Sequence, residues 1–182
     1  MTAGAALVVY HDLTIQDSTF SNLNMTFGPA LACVNDDSSH MEVSNCTFEN
    51  IATPEEGPPE PILVLTRADL TMTGSTFSNC TALYAVLEIG NNPTLNDSWL
   101  ANETVTIDNC TFVDNYGYQG PIYMLGKDLN PTQTLNLFNS NFTNNAGNLG
   151  GAVTAFAVGN MRVSGCLFEG NEAVTGMGAI YV

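Results

Sequence analysis

Residues 105–112 read Val-Thr-Ile-Asp-Asn-Cys-Thr-Phe, and this stretch decides the fold because close copies of it recur along the chain. The other copies, each ending on a Phe, are residues 13–20, 41–48, 70–77, 135–142 and 161–168. Successive Phe residues lie 26 to 35 positions apart. An internal period of this length is typical of solenoid proteins, in which each repeat packs against the next.

The aligned positions of the repeat predict a strand followed by a bend. The positions seven and five before the Phe are always Leu, Met, Ile or Val, which is the alternation of a strand with one buried face. The position three before the Phe holds only Asp, Asn or Gly. Because these residues adopt positive φ most readily, we expect a bend there in every repeat.

A second apolar strand precedes each copy, as in residues 62–66 and 121–125. Short strands at this spacing, with no helical period between them, predict an all-β parallel solenoid of about six coils, with 1–182 as one domain. Residues 2–9 align in register with residues 175–182, and neither stretch resembles a polar cap. We therefore expect uncapped ends that stack on more of the same polypeptide, either a longer parent chain or another copy.

The repeats resemble the right-handed parallel β-helix of the pectin-lyase-like superfamily, and more narrowly the repeats of chlamydial polymorphic outer-membrane proteins. Two short signatures carry the resemblance. The Phe-x-x-Asn signature is present at 112–115, 142–145 and 168–171, and Gly-Gly-Ala-Val at 150–153 matches the second. The first three coils depart by carrying Asn one position earlier, at Asn22, Asn50 and Asn79. The resemblance implies the fold, and its members are mostly surface-exposed adhesins.

The charge of the chain excludes several classes of partner. It carries 18 Asp and Glu against three Lys and Arg, for a net charge of −15. Without clustered cations, nucleic acid and anionic lipid are unfavourable partners, and no run of residues is long and apolar enough to insert in a membrane. Polysaccharide-active members of the superfamily use an Arg or Lys base beside carboxylates. The cations Arg67, Lys127 and Arg162 lie in different coils, so we expect no enzyme.

Seven Asn-x-Ser/Thr sequons point to a secreted, glycosylated protein. If the source is eukaryotic, we expect glycans in loops, turns or outward strand positions, at Asn24, Asn96, Asn102 and Asn141. The remaining sequons, at Asn45, Asn79 and Asn109, are also candidates. For Asn45 and Asn109 an alternative remains open, since Asn-Cys-Thr also belongs to the bend of the repeat.

The first strand of each coil is apolar on both faces, which predicts a lateral contact surface. Its predicted members are Val8, Tyr10, Val64, Leu87, Ile89, Tyr123, Leu125, Phe156 and Tyr181. Two alternatives to a contact surface are an error in our strand register and cover from a nearby loop.

The five cysteines predict free thiols rather than a disulfide framework. Cys46, Cys110 and Cys166 share one position of the repeat but lie two coils apart. With coils about 4.8 Å apart, that separation exceeds what a disulfide spans, so we expect buried free thiols. Cys33 and Cys80 lie outside this position, and whether they pair stays open. No Cys-x-x-Cys occurs, and we predict neither a metal nor a cofactor.

The favoured function is a structural element of a secreted or cell-surface glycoprotein, a filament- or surface-forming solenoid that associates with itself head to tail or laterally. The first alternative is an adhesin-type module that binds a partner, possible glycans included, through corner loops 90–104 and 126–134. A polysaccharide-active enzyme is the third hypothesis.

Overall fold

The computed structural model describes residues 7–9, 11–25, 31–53, 61–90, 103–126 and 132–182; for 7–9, 31–38 and 64–67 the description covers the backbone alone. The described residues are all-β. The strands in chain order are β1 (Leu7–Val9), β2 (Leu13–Gln16), β3 (Thr19–Ser21), β4 (Leu31–Ser44), β5 (Thr47–Glu49), β6 (Leu63–Thr73), β7 (Thr76–Ser78), β8 (Thr81–Ala82), β9 (Leu87–Gly90), β10 (Thr104–Asp108), β11 (Thr111–Val113), β12 (Tyr116–Gly117), β13 (Ile122–Leu125), β14 (Thr134–Phe138), β15 (Asn141–Thr143), β16 (Ala146–Gly147), β17 (Val153–Phe156), β18 (Asn160–Ser164), β19 (Leu167–Glu169), β20 (Glu172–Ala173) and β21 (Ile180–Tyr181).

These strands form a parallel β-solenoid, as the repeat predicts. A long sheet of 11 strands, a six-stranded sheet that contains the Phe residues (the Phe sheet) and a short sheet of four strands make up its sides. Each strand pairs in parallel with the equivalent strand of the coils before and after it, as β11 does with β7 and β15. The Phe sheet therefore counts six rungs, a rung being one turn of the solenoid.

The two strands predicted to be separate in each coil are continuous in the second and third rungs. There β4 and β6 run through the corner as single strands, and only a register shift between Val34 and Ser39 marks the corner. The short four-stranded sheet, formed by β8, β12, β16 and β20, was not predicted. Its strands have two residues each, too few to display an alternating pattern.

The Phe residues form a continuous stack through the interior. Their ring centroids are 4.4 to 5.2 Å apart and nearly parallel, from Phe20 at one end to Phe168 at the other. Phe48, Phe77, Phe112 and Phe142 are completely buried. Together with the apolar residues of the second strands, this stack makes one core that runs the length of the described solenoid.

The predicted bend is confirmed in all six rungs. The position three before each Phe has a positive φ of 47 to 68°, which Asn, Asp and Gly adopt at little cost. We call this position the first bend column; it holds Asp17, Asn45, Gly74, Asn109, Asn139 and Gly165. A Cβ at Gly74 would lie 2.7 Å from Asn45 Oδ1, so the side chain of Asn45 would have to shift to accept one.

A second bend follows two residues after each Phe and was not predicted. Its members, the second bend column, have φ of 50 to 64°: Asn22, Asn50, Asn79, Asp114, Asn144 and Gly170. Asn22, Asn50 and Asn79 are therefore bend residues, not displaced copies of the Asn in Phe-x-x-Asn. The position after the bend is a separate inner column, which holds Leu23, Ile51 and Cys80 in the first three rungs and Asn115, Asn145 and Asn171 in the last three.

Candidate functional site

The last layer of the described solenoid is its most open surface. It consists of β18, β19, β20 and β21, and we call it the open rung (residues 160–182). Among the described residues each of these strands is the terminal strand of its sheet. Backbone hydrogen bonds join the open rung to the layer before it, such as Leu167 N–H to Ser140 O at 3.0 Å and Glu172 N–H to Asn145 O at 2.8 Å. The outer side of the open rung presents the same kinds of backbone group.

The open rung also exposes residues that are buried elsewhere. Val163 aligns with Leu137, which is fully buried, but the side chain of Val163 is 43% exposed. Phe168 aligns with the fully buried Phe142 but is only partly buried. Apolar residues of the inner columns therefore face outward at this end. That the ends stack on more of the same polypeptide or on another copy stays a prediction.

The inner Asn column holds successive rungs together beside the Phe stack. Asn145 Nδ2 donates to Phe112 O and to Asn171 Oδ1, both at 2.9 Å. Asn145 Oδ1 in turn accepts from the backbone N–H of Asn115 at 3.1 Å and from Asn115 Nδ2 at 3.0 Å. At the open rung Asn171 Nδ2 donates to Phe142 O at 2.8 Å. The buried amides thus satisfy one another along the solenoid axis.

The prediction of the lateral surface was wrong for two residues. The predicted surface groups Leu87 with Val64 and Tyr123. In the structure Leu87 instead pairs with Leu63 and Ile122, so Leu87 and Ile89 are buried in the core. Glu88 takes the outward position instead and is also buried. The side chains of Val8 and Val64, and all of Tyr10, lie outside the described residues.

The remaining predicted members of the lateral surface do lie on the outward side. Tyr123 contacts Tyr84 and Phe156 edge to face, with centroids 5.3 and 6.4 Å away, and Phe156 contacts Tyr181 in the same way. Tyr123 is only 6% exposed, whereas Leu125, Phe156 and Tyr181 are partly exposed. Burial raises the pKa of the Tyr84 and Tyr123 hydroxyls, so both stay neutral. The accessible part of this surface is therefore next to the open rung.

All five sequon asparagines within the described residues are exposed. Asn45 and Asn109 lie in the first bend column and Asn79 in the second. Asn141 lies in β15, and Asn24 forms an isolated bridge with Ala52. Asn96 and Asn102 lie outside the described residues.

The four cysteines whose side chains the structure describes are free thiols, as predicted for the repeat position. Cys46 and Cys110 are buried, and Cys166 is partly buried at the open rung. Cys80 is also free, which rules against a disulfide with Cys33 in this structure. Burial raises the pKa of the Cys80 and Cys110 thiols to about 11. They act as small apolar residues and weak donors to backbone carbonyls, as Cys80 Sγ does to Phe48 O at 3.5 Å.

The described residues bring no other predicted site together. In that part of the chain, no group of three or more His, Cys, Asp or Glu is placed to hold a metal ion. Likewise, none of its segments is a helix with the length and apolar character needed to span a bilayer. The corner loops proposed for adhesion, 90–104 and 126–134, lie mostly outside the description, as does the side chain of Arg67 and all of Lys127.

The fold and the repeat agree with a family comparison. A family model described as right handed beta helix region matches residues 2–148. The chain belongs to the right-handed β-helix family. Searches of curated proteins and of solved structures found no match. The family assignment rests on the match over residues 2–148, and the parallel sheets of the structure agree with it.

Proposed function

We propose that this β-helix is a structural element of a secreted or cell-surface assembly, and that its open rung pairs with a further rung of the same fold, on more of the same polypeptide or on another copy. The observation that carries the proposal is the combination of terminal strand edges with inner-column side chains at one end. An exposed strand edge pairs readily with another strand, and the adjacent apolar side chains favour a partner that covers them.

A further rung is the partner that fits this surface. Inside the solenoid, each rung satisfies its neighbour through parallel backbone pairing, the Phe stack and the Asn column. A further rung that covers Val163 and Phe168 removes their exposed surface from water. For each side chain, this stabilises the association by about 1 kcal/mol. The backbone pairing supplies the register, because a one-residue slip would turn every inner side chain outward.

The charge of the chain shapes how such an association responds to solution conditions. Two copies with a net charge of −15 repel each other, and three cations are too few to form an interface of salt bridges. Hydrogen bonds and apolar contacts must therefore provide the attraction. Because salt screens the repulsion, we expect association to strengthen as ionic strength rises.

The proposed role is structural rather than catalytic. The residues that recur in the repeat support a structural role, because they form contacts between neighbouring rungs. The Phe, Asn, Ser and Cys positions are engaged in contacts between rungs, such as Cys110 N–H with Ser140 Oγ at 3.0 Å. An extracellular location is supported by the exposed sequon asparagines Asn24 and Asn141, whose positions the fold does not require.

Light scattering after size-exclusion chromatography tests the proposal on unglycosylated protein. Wild-type mass should rise with concentration. Val163→Lys should abolish the rise, since it puts a charge into the inner column of the open rung. Leu167→Lys is the matched control, because Leu167 is 47% exposed in the same rung but aligns with the outward Asn141. Both variants lower the net negative charge equally, so lost association cannot come from added repulsion.

Two outcomes would overturn the proposal. The first is a chain of residues 1–182 that stays monomeric at every concentration and ionic strength, because its open rung then attracts no further rung. The second is a Val163→Lys variant that associates as well as Leu167→Lys. Val163 is a surface position in the isolated chain, so its replacement should leave the far-ultraviolet circular dichroism unchanged.

A further inference from the structure

The sequon at Asn141 is not explained by the fold. Asn141 occupies the outward position just before the Phe in β15, and the register aligns it with Thr111, Thr76, Thr47 and Thr19 of the preceding rungs. Thr is favoured in strands, and Asn is disfavoured. The side chain of Asn141 is exposed, while the next residue, Phe142, is fully buried. Neither packing nor backbone geometry therefore requires an Asn at this place.

The sequons in the bends are different. Asn45, Asn79 and Asn109 have φ of 52, 50 and 53°, which Asn tolerates better than almost any residue other than Gly. The Cys that follows each of them is buried, and the Thr after that begins or continues a strand. Backbone and packing requirements thus account for Asn-Cys-Thr at these positions without any modification.

Asn24 shares the property of Asn141. It is exposed, and the isolated bridges align its position with Ala52 and Thr81. Because Ala and Thr occupy the equivalent positions in the next two rungs, the backbone conformation at this position does not require Asn.

We propose that Asn141 and Asn24 carry N-linked glycans. The proposal rests on the secretory route of the proposed function. In the reaction, Nδ2 forms a bond to the anomeric carbon of an oligosaccharide on a polyprenyl diphosphate, and the bond from that carbon to the diphosphate oxygen breaks. The lipid diphosphate leaves with the electron pair, and the amide nitrogen gives one of its two protons to a base of the transferase. No group is oxidised or reduced.

The surroundings of Asn141 leave room for the sugar. Its neighbour in the open rung is Leu167, an outward residue that is 47% exposed. A glycan at Asn141 lies on the outward side of the Phe sheet and shields this leucine. It does not enter the inner columns, so it leaves Val163 and Phe168 free to contact a further rung.

Peptide mass spectrometry on full-length protein secreted by its source cells, or by yeast, tests the sites. After treatment with peptide N-glycosidase in heavy-oxygen water, Asn141 and Asn24 should become oxygen-labelled Asp. Thr143→Ala should remove the glycan at Asn141, while Thr143→Ser keeps the sequon and the glycan. Thr26→Ala should remove the glycan at Asn24. Asn141→Gln is a second way to remove the first site; Thr is avoided there because it would complete a sequon at Asn139.

Unmodified Asn141 and Asn24 in the secreted wild type would overturn the proposal, as would an unchanged glycan mass in Thr143→Ala. Circular dichroism that matches the Thr143→Ser variant excludes misfolding as the reason for a change. The result is separate from that of the proposed association, which is measured on protein without glycans.

Discussion

Replacing Asn145 by Asp tests whether the inner Asn column holds the rungs together. The change keeps the shape of the side chain and the acceptor Oδ1, which binds two N–H groups of Asn115. It removes the NH2 group that donates to Phe112 O and Asn171 Oδ1. A second oxygen then faces two acceptors in a site that is 1% exposed.

The structure sets the size of the effect. Each lost hydrogen bond costs about 1 kcal/mol, and a buried acceptor left without a donor costs about 1–3 kcal/mol. We therefore expect Asn145→Asp to lower the free energy of unfolding by about 3 kcal/mol or more at neutral pH, which lowers the thermal midpoint by about 6–12 °C in a domain of this size. In the unfolded chain the new carboxyl has a pKa of about 3.9. Because burial raises the pKa of this carboxyl in the folded state above that value, the loss should shrink as pH falls from neutral toward 3.9, and it should change no further below it.

Asn144→Asp is the matched control, because it makes the same chemical change one residue earlier. Asn144 is exposed in the second bend column, where Asp114 stands one rung away. Its expected cost is below about 0.5–1 kcal/mol, the size of a repulsion between exposed charges. Urea and thermal unfolding followed by circular dichroism give both values. Equal stability of the two variants at neutral pH would refute the role of the Asn column.

Two further predictions concern the core. Phe112→Ala should lower the free energy of unfolding by about 3–5 kcal/mol, because Phe112 stacks between two rings. Phe168→Ala should lower it by about half as much, since Phe168 stacks on Phe142 alone. Equal losses of stability in thermal unfolding would contradict the stack. In the native protein a maleimide should label the partly buried Cys166 before Cys80 and Cys110, because those two are buried with pKa values of about 11. Peptide mapping of the labelled thiols over time measures this, and early labelling of Cys110 would mean that the rungs open.

The sequence was sufficient to predict the solenoid and its first bend. The Phe spacing identifies the rungs, and a column limited to Asp, Asn and Gly has one simple physical cause, positive φ. The second bend was missed because its residues were read against the Phe-x-x-Asn signature. In the first three rungs, the inner position that Asn occupies in the last three holds Leu23, Ile51 and Cys80. A search for Asn alone does not recognise these residues as equivalent to it.

In the fourth coil, the register of the first strand, residues 85–89, could not be deduced from its residues. The run from Ala85 to Ile89 is apolar on both alternating faces except at Glu88. Period-two reasoning needs a polar face for contrast, and here both faces are buried, so Val86 and Leu87 look equivalent. Only pairing with Leu63 and Ile122 decides between them. The exposure of Val163 likewise depends on whether another rung packs over it, and the repeat pattern does not contain that information.

Electron cryomicroscopy of the protein as it assembles at its source tests the central claim most directly. If the open rung pairs with a further solenoid, the particles are rods whose long axis is the solenoid axis, with a rung repeat of about 4.8 Å continuing unbroken from one copy to the next. Single solenoids dispersed as separate particles, with Val163 and the edges of β18 to β21 facing solvent, would contradict it.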